Sequence, residues 1–194
     1  MPLNESSKQL SITSGWVDQV KHTPSPFFTP RELGEEINLL VIHNISLPAG
    51  DFGGNCINDL FLGKLDCTNH ESFHDLQGVE VSAHCLIRRD GEIIQYVSFL
   101  DKAWHAGISS FKQRESCNDY SIGIELEGTD DIPYTTDQYQ QLTALTLCLQ
   151  NKFSAIIMGN IVGHCDIAPT RKTDPGKIFN WQKFRQLLTD THFN

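Results

Sequence analysis

The 194-residue chain is 39% hydrophobic and 20% charged, with a formal net charge of −9. These values fit one soluble domain large enough to bury its own core, and exclude collagen-like or disordered composition. The negative charge argues against nucleic acid or an anionic membrane surface as the main partner.

The opening residues MPLNESSKQLSITSGW carry no apolar signal core, and no run approaches the ~20 apolar residues of a membrane span. The cysteines Cys56, Cys67, Cys85, Cys117, Cys148 and Cys165 form no C-x-x-C pair. A cytoplasmic protein with reduced thiols is therefore expected; a monomer is expected too, although these features do not bear on oligomeric state.

In chain order, residues 1–15 are polar and read as a flexible segment ahead of one domain over 16–194. Residues 23–30, TPSPFFTP, are an extended lead-in. The β-branched apolar run from Ile37 to Ile42 predicts a buried central strand with His43 and Asn44 at its end. Residues 46–54 have loop composition, and 55–64 a short helical pattern with Ile57, Leu60 and Phe61 on one face. Residues 82–88 and 92–99 predict two strands joined at Arg89-Asp90-Gly91, an Asp-Gly hairpin signal. Residues 120–127 alternate, with Ile122, Ile124 and Leu126 on one face and Ser121, Gly123, Glu125 and Glu127 on the other.

A helix is predicted over 136–152, opened by the capping-box pair Thr135 and Gln138, with Tyr139, Leu142, Leu145 and Leu149 as its apolar stripe. A short strand over 161–164 ends at His164, and a last helix over 180–188 turns Trp181, Phe184, Leu187 and Leu188 inward. The whole is an α/β single domain, a mixed sheet flanked by helices.

Eight histidines are more than an average chain of this length requires. His43 and His164 each end a strand, and Asp174 follows in the loop HCDIAPTRKTDPG. Two imidazoles and a carboxylate suit a catalytic zinc, which keeps one position for water. The spacing alone equally fits two satisfied strand-end histidines and an aspartate capping a turn. A second motif competes: His70-Glu71-Ser72-Phe73-His74 is a literal H-E-x-x-H. It lacks an amphipathic helix around it, and Gln77 and Glu80 break the extended pattern. His105 stands beside Trp104 ahead of a glycine, where a ligand-facing or a packed aromatic pair are both possible.

The blocks VIHNISLPAGDFGG, VSAHCLIRRDGEIIQYV, AWHAG, CNDYSIGIELEGTD, YQQL and GHCDIAPTRKTDPG occur in this order from about Trp16 to Leu188. Together they resemble the cytoplasmic anhydromuramyl-L-alanine amidases of cell-wall recycling, within the wider family of zinc amidases and peptidoglycan recognition proteins. The resemblance implies a zinc-dependent hydrolase acting on a small muropeptide. It implies His43, His164 and Asp174 as zinc ligands, Glu125 as acid/base and Lys172 as an oxyanion-stabilising residue. Asn44, Trp104 and His105 fall in blocks expected to wall the substrate. Residues 65–80 match less well, so stem-peptide preference is open. The rival readings are a non-catalytic peptidoglycan-fragment binding module and an H-E-x-x-H metalloprotease.

Overall fold

The computed structural model describes residues 9–192. The chain opens with the short strands β1 (Ile12–Thr13), β2 (Trp16–Val17), β3 (Lys21–His22) and β4 (Phe28–Pro30), followed by β5 (Leu39–Ile45) and α1 (Cys56–Phe61). The strands β6 (Cys85–Ile87), β7 (Ile93–Gln95), β8 (Asp101–Ala103), β9 (Ser110–Phe111), β10 (Arg114–Glu115) and β11 (Ser121–Glu127) come next. The chain ends with α2 (Thr136–Lys152), β12 (Ile161–Gly163), α3 (His164–Ile167) and α4 (Trp181–His192).

Six strands form the main sheet in the order β12-β5-β11-β6-β7-β3. β12, β5, β11 and β6 run parallel, and β6 pairs antiparallel with β7. The mixed sheet flanked by helices is thus the observed architecture. The Asp-Gly signal marks the turn between β6 and β7, where Gly91 takes a φ of 87° that few other residues tolerate.

Both sides of the central strands are covered. Leu40, Ile42, Ile122, Ile124 and Leu126 pack under Tyr139, Leu142, Leu145 and Leu149 of α2 and under Phe184 and Leu188 of α4. Each such fully buried side chain contributes ~1.5–3 kcal/mol, so this face sets the register of both strands. The capping box is present: Thr135 Oγ1 accepts from Gln138 N–H at 3.1 Å, and Gln138 Oε1 from Thr135 N–H at 3.1 Å. On the opposite face Leu39 and Val41 meet Ala106, Cys117, Tyr120 and Ile167.

Three expectations need correction. Residues 9–15 are not frayed. β1 pairs with β2, and Gln95 clamps the hairpin by accepting from Val17 N–H at 2.8 Å and donating to Gly15 O at 2.9 Å. Residues 1–8 lie outside the described residues. The strand expected over 92–99 is regular only over Ile93–Gln95, because Phe99 N–H bonds instead to Gly15 O at 2.9 Å. The strand expected to end at His164 stops at Gly163, and His164 opens α3, where the Asp166 carboxylate accepts from Gly163 N–H at 2.7 Å.

Candidate metal centre

The site is assembled at the ends of β5, β11 and β12. His43 and Glu125 are register partners on adjacent parallel strands, so their side chains leave the same face side by side. Gly163 pairs with Ile42, which delivers His164 next to His43. The loop after α3 is tied back by Cys165 N–H donating to Asp174 O at 3.0 Å, and this brings the Asp174 carboxylate in.

Three ligand atoms converge. His43 Nδ1 lies 3.0 Å from His164 Nδ1 and 3.1 Å from Asp174 Oδ2, and His164 Nδ1 lies 3.0 Å from the same oxygen. Hydrogen bonds alone satisfy this triangle poorly. His164 Nε2 faces Ala106 O at 3.1 Å, a carbonyl that only accepts, so the neutral ring carries its proton there. Its Nδ1 lone pair then points at a carboxylate oxygen and a second imidazole. A cation resolves the conflict, and an N, N, O donor set with a cleft alongside matches a catalytic zinc site. Among the described residues this trio is the group of His, Cys, Asp and Glu side chains arranged to hold a metal.

The two acidic residues of β11 separate cleanly. Glu127 is fully engaged: it accepts from Gly53 N–H at 2.7 Å, Arg88 Nη1 at 3.1 Å and Arg89 N–H at 3.1 Å. It latches the 46–54 loop to the sheet. Glu125 is buried, its Oε2 has no hydrogen-bond partner, and its Oε1 stands 4.0 Å from His43 Nδ1. Burial pushes its carboxyl well above the usual range, and Asp174 pushes the same way while Lys172 opposes. Burial also pushes Asp174 upward, but its contacts with His164 and His43 outweigh it, and its pKa falls.

An open cleft of about 460 Å³ adjoins the trio, lined by Asn44, Asp130, Arg171, Lys172, Thr173 and Asp174 among others. Asn44 Nδ2 donates to Asp130 Oδ1 at 2.9 Å. Trp104 lies in a neighbouring groove of about 270 Å³ with Thr29, Lys102 and Asn118, backed by Phe27 at 6.1 Å between ring centroids. His105 meets His43 Nε2 at 3.0 Å through its Nδ1. The three residues expected to form one wall therefore occupy three different places.

The H-E-x-x-H motif forms no metal site. Glu71–Leu76 is a 3-10 helix, and His70 precedes it in extended conformation with its Nδ1 accepting from Ser72 N–H at 3.2 Å. An α-helical turn is needed to put both histidines on one face. His70, Glu71 and His74 are all exposed.

Sequence reasoning missed the residues around the trio: Ala106 O, Ser121, Gly123, Asp130 and Arg171. One signal was available. A glycine inside the β11 pattern marks close approach by a neighbour, and a Cβ on Gly123 would stand 2.4 Å from His105 Cγ.

The buried imidazoles give the metal-free protein an acid-labile core. Burial lowers His43 to about 4 and His84 to about 3, and lowers His105 well below 6.5. Groups with depressed folded pKa values stabilise above the unfolded value and lose that contribution as pH falls below it. Lowering the pH from 7 to 5 is thus expected to drop the melting temperature of the chelator-treated Glu125→Gln protein, in which the raised carboxyl no longer offsets the loss, by on the order of 10 °C. A melting temperature flat across that range would contradict neutral burial of these rings.

Residues 33–177 match the N-acetylmuramoyl-L-alanine amidase family. The 1,6-anhydro-N-acetylmuramyl-L-alanine amidase AmpD of Citrobacter freundii is 54% identical over 178 residues, covering 92% of this chain and 95% of that protein. The AmpD of Escherichia coli K12 is 53% identical over 178 residues, covering 92% and 97%. A crystal structure of a selenomethionine derivative of AmpD has a TM-score of 0.89 at 54% identity, covering 91% of this chain and 98% of that one. The Escherichia coli amidase AmiD, in complex with anhydro-N-acetylmuramic acid-L-Ala-D-γ-Glu-L-Lys as substrate, has a TM-score of 0.57 at 28% identity, covering 93% of this chain and 66% of that one. With this match spanning strand, helix and trio alike, the chain belongs to the N-acetylmuramoyl-L-alanine amidase family.

Proposed function

We propose that the enzyme is a zinc-dependent hydrolase. It cleaves the amide between the lactyl group of 1,6-anhydro-N-acetylmuramic acid and L-alanine in muropeptides, in the cytoplasm, during cell-wall recycling. The observation that carries the reading is a buried carboxylate without a partner, Glu125, beside a His-His-Asp trio at the edge of an open cleft. The substrate assignment draws on the AmpD relatives, whose names state that amide bond.

His43, His164 and Asp174 would hold the zinc. When bound, zinc would supply a water acidified towards neutral pH and would polarise the carbonyl. Glu125 takes a proton from the attacking water on its free oxygen and returns it to the leaving amine of L-alanine. The water oxygen forms the new C–O bond as the C–N bond breaks, leaving a lactyl carboxylate and a free amine. A buried carboxylate with a free oxygen can hold that proton and deliver it, and such transfer typically contributes ~10²–10⁴-fold. Lys172, in the cleft wall, sets its charge against the carbonyl oxygen as negative charge develops, and one such donor is typically worth ~2.7–4 kcal/mol. Asn44, held by Asp130, and Trp104 bind the sugar and peptide arms.

The test is mass spectrometry of an anhydromuropeptide incubated with zinc-loaded protein, beside a chelated control. The expected products are the free anhydromuramic sugar and a peptide starting at L-alanine, formed only with zinc. The double variant His70→Ala/His74→Ala is expected to give the same products at the same rate. Cleavage within the stem peptide would overturn the proposal in favour of a protease, and binding without cleavage in favour of a recognition module.

A further inference from the structure

Trp104 and His105 were expected to face the substrate, yet His105 and its neighbour Ala106 point at the backs of the candidate ligands. His164 Nε2 donates to Ala106 O at 3.1 Å. His43 Nε2 meets His105 Nδ1 at 3.0 Å, with the rings edge-on at 86°. One residue thus serves each imidazole, a backbone carbonyl for His164 and a side chain for His43.

Only one arrangement of protons fits the zinc site proposed above, on which this inference rests. His43 Nδ1 must offer a lone pair toward His164 and Asp174, so its proton sits on Nε2 and is donated to His105 Nδ1. His105 then carries its own proton on Nε2, which faces Ser121 Oγ at 3.1 Å. A hydroxyl accepts there without conflict.

The surroundings hold His105 firmly. Asn118 Oδ1 accepts from His105 N–H at 3.1 Å and Ala106 N–H at 2.8 Å. Ser121 O is fixed by Arg31 Nη2 at 2.7 Å, and the same guanidinium donates to Asn118 O at 3.0 Å and Asp119 O at 2.7 Å. The ring lies so close to Gly123 that a Cβ there would stand 2.4 Å from His105 Cγ and 2.5 Å from its Nδ1. A glycine in the middle of a buried strand loses packing and backbone entropy relative to alanine. Here that cost makes room for the ring.

We infer that His105 is a positioning residue for the zinc site, accepting the Nε2 proton of His43 and so orienting the His43 Nδ1 lone pair toward the metal. Outer partners of this kind are typically worth 10–100-fold in metal affinity.

The test measures zinc dissociation constants, by competition with a chromogenic chelator, for wild type, His105→Phe, His105→Asn, Ser121→Ala and His43→Ala, together with kcat and KM at saturating zinc. His105→Phe keeps a ring over Gly123 without an acceptor and is expected to bind zinc ~10–100-fold more weakly. His105→Asn, whose amide oxygen takes the place of Nδ1, restores an acceptor and is expected to recover most of that loss. Ser121→Ala, a small change that leaves the ring in place, is expected to weaken zinc binding in the same direction by less. KM is expected to stay within about twofold throughout, since substrate contacts are untouched. Unchanged zinc affinity in both His105→Phe and Ser121→Ala, or a raised KM at unchanged zinc affinity, would overturn the inference and return His105 to the substrate wall. Should His105→Phe fail to fold, Ser121→Ala decides alone. The control separates two kinds of failure. If His43→Ala abolishes tight zinc binding while the other variants do not change it, only the role of His105 falls. If His43→Ala leaves zinc binding intact, the zinc site itself is misplaced.

Discussion

Replacing Glu125 by Gln or Ala is expected to cut turnover of an anhydromuropeptide by ~10²–10⁴-fold while leaving zinc bound as tightly as in wild type. Glu125 is the register partner of His43, and its Oε2 is buried without a hydrogen-bond partner. A buried polar atom left unpaired costs ~1–3 kcal/mol, so the fold gains nothing from leaving it so. Its neighbour Asp174 raises the Glu125 pKa further, after burial itself, and this favours a group that receives a proton. Removing the carboxylate is therefore expected to leave stability unchanged or slightly improved, and to remove only the proton transfer. Glu127→Gln is the informative contrast. Glu127 holds Arg88 and two backbone N–H groups, so its loss is expected to loosen the 46–54 loop and lower stability. Steady-state kinetics with thermal melts distinguish the two. A Glu125→Gln enzyme retaining more than about a tenth of wild-type rate would remove Glu125 from the acid/base role.

Asp174→Ala is expected to weaken zinc binding by more than the ~10–100-fold typical of losing an outer hydrogen-bond partner, with turnover falling in step. Its Oδ2 is the shared vertex of two sides of the ligand triangle, at 3.1 Å from His43 and 3.0 Å from His164. The loop itself should survive, because the bond from Cys165 N–H uses the Asp174 backbone carbonyl, which alanine keeps. Without the carboxylate, the two imidazoles face each other with no negative charge to balance a dication. Competition against a chelator reads the loss directly. Zinc affinity equal to wild type would show that Asp174 is not a ligand, and the trio would have to be redrawn around His43 and His164.

Much of the fold was legible because local and global preferences agree. The apolar stripe and capping box of α2 specify that helix over Thr136–Lys152 without reference to the rest of the chain. The alternation in Ser121–Glu127 specifies which side chains share a face, though not that both faces are buried. The Asp-Gly turn specifies the β6–β7 hairpin. Where the reading failed, long-range contacts had overridden local pattern. Gln95 captures the amino-terminal hairpin across some eighty residues of chain, and His164 turns into a helix because the Asp166 side chain caps its start.

The site was legible only in parts. The sequence by itself determined the inventory: two strand-end histidines, an aspartate in a turn, two alternating glutamates, and an overall resemblance that assigned them roles. Distance between these groups is a property of sheet order. His43 and His164 lie far apart in the chain and meet because β12 and β11 flank β5 in parallel. That same order decided what no spacing could decide. It placed Glu125 against His43 and Glu127 against Arg88, although both glutamates leave one face of one strand. It also exposed the H-E-x-x-H match as a 3-10 turn, and set the His105 ring against His43 Nε2. Chemistry resides in residue types, which a sequence states outright. Which partner each group finds depends on packing between strands and loops remote in the chain, and that only the tertiary structure decides.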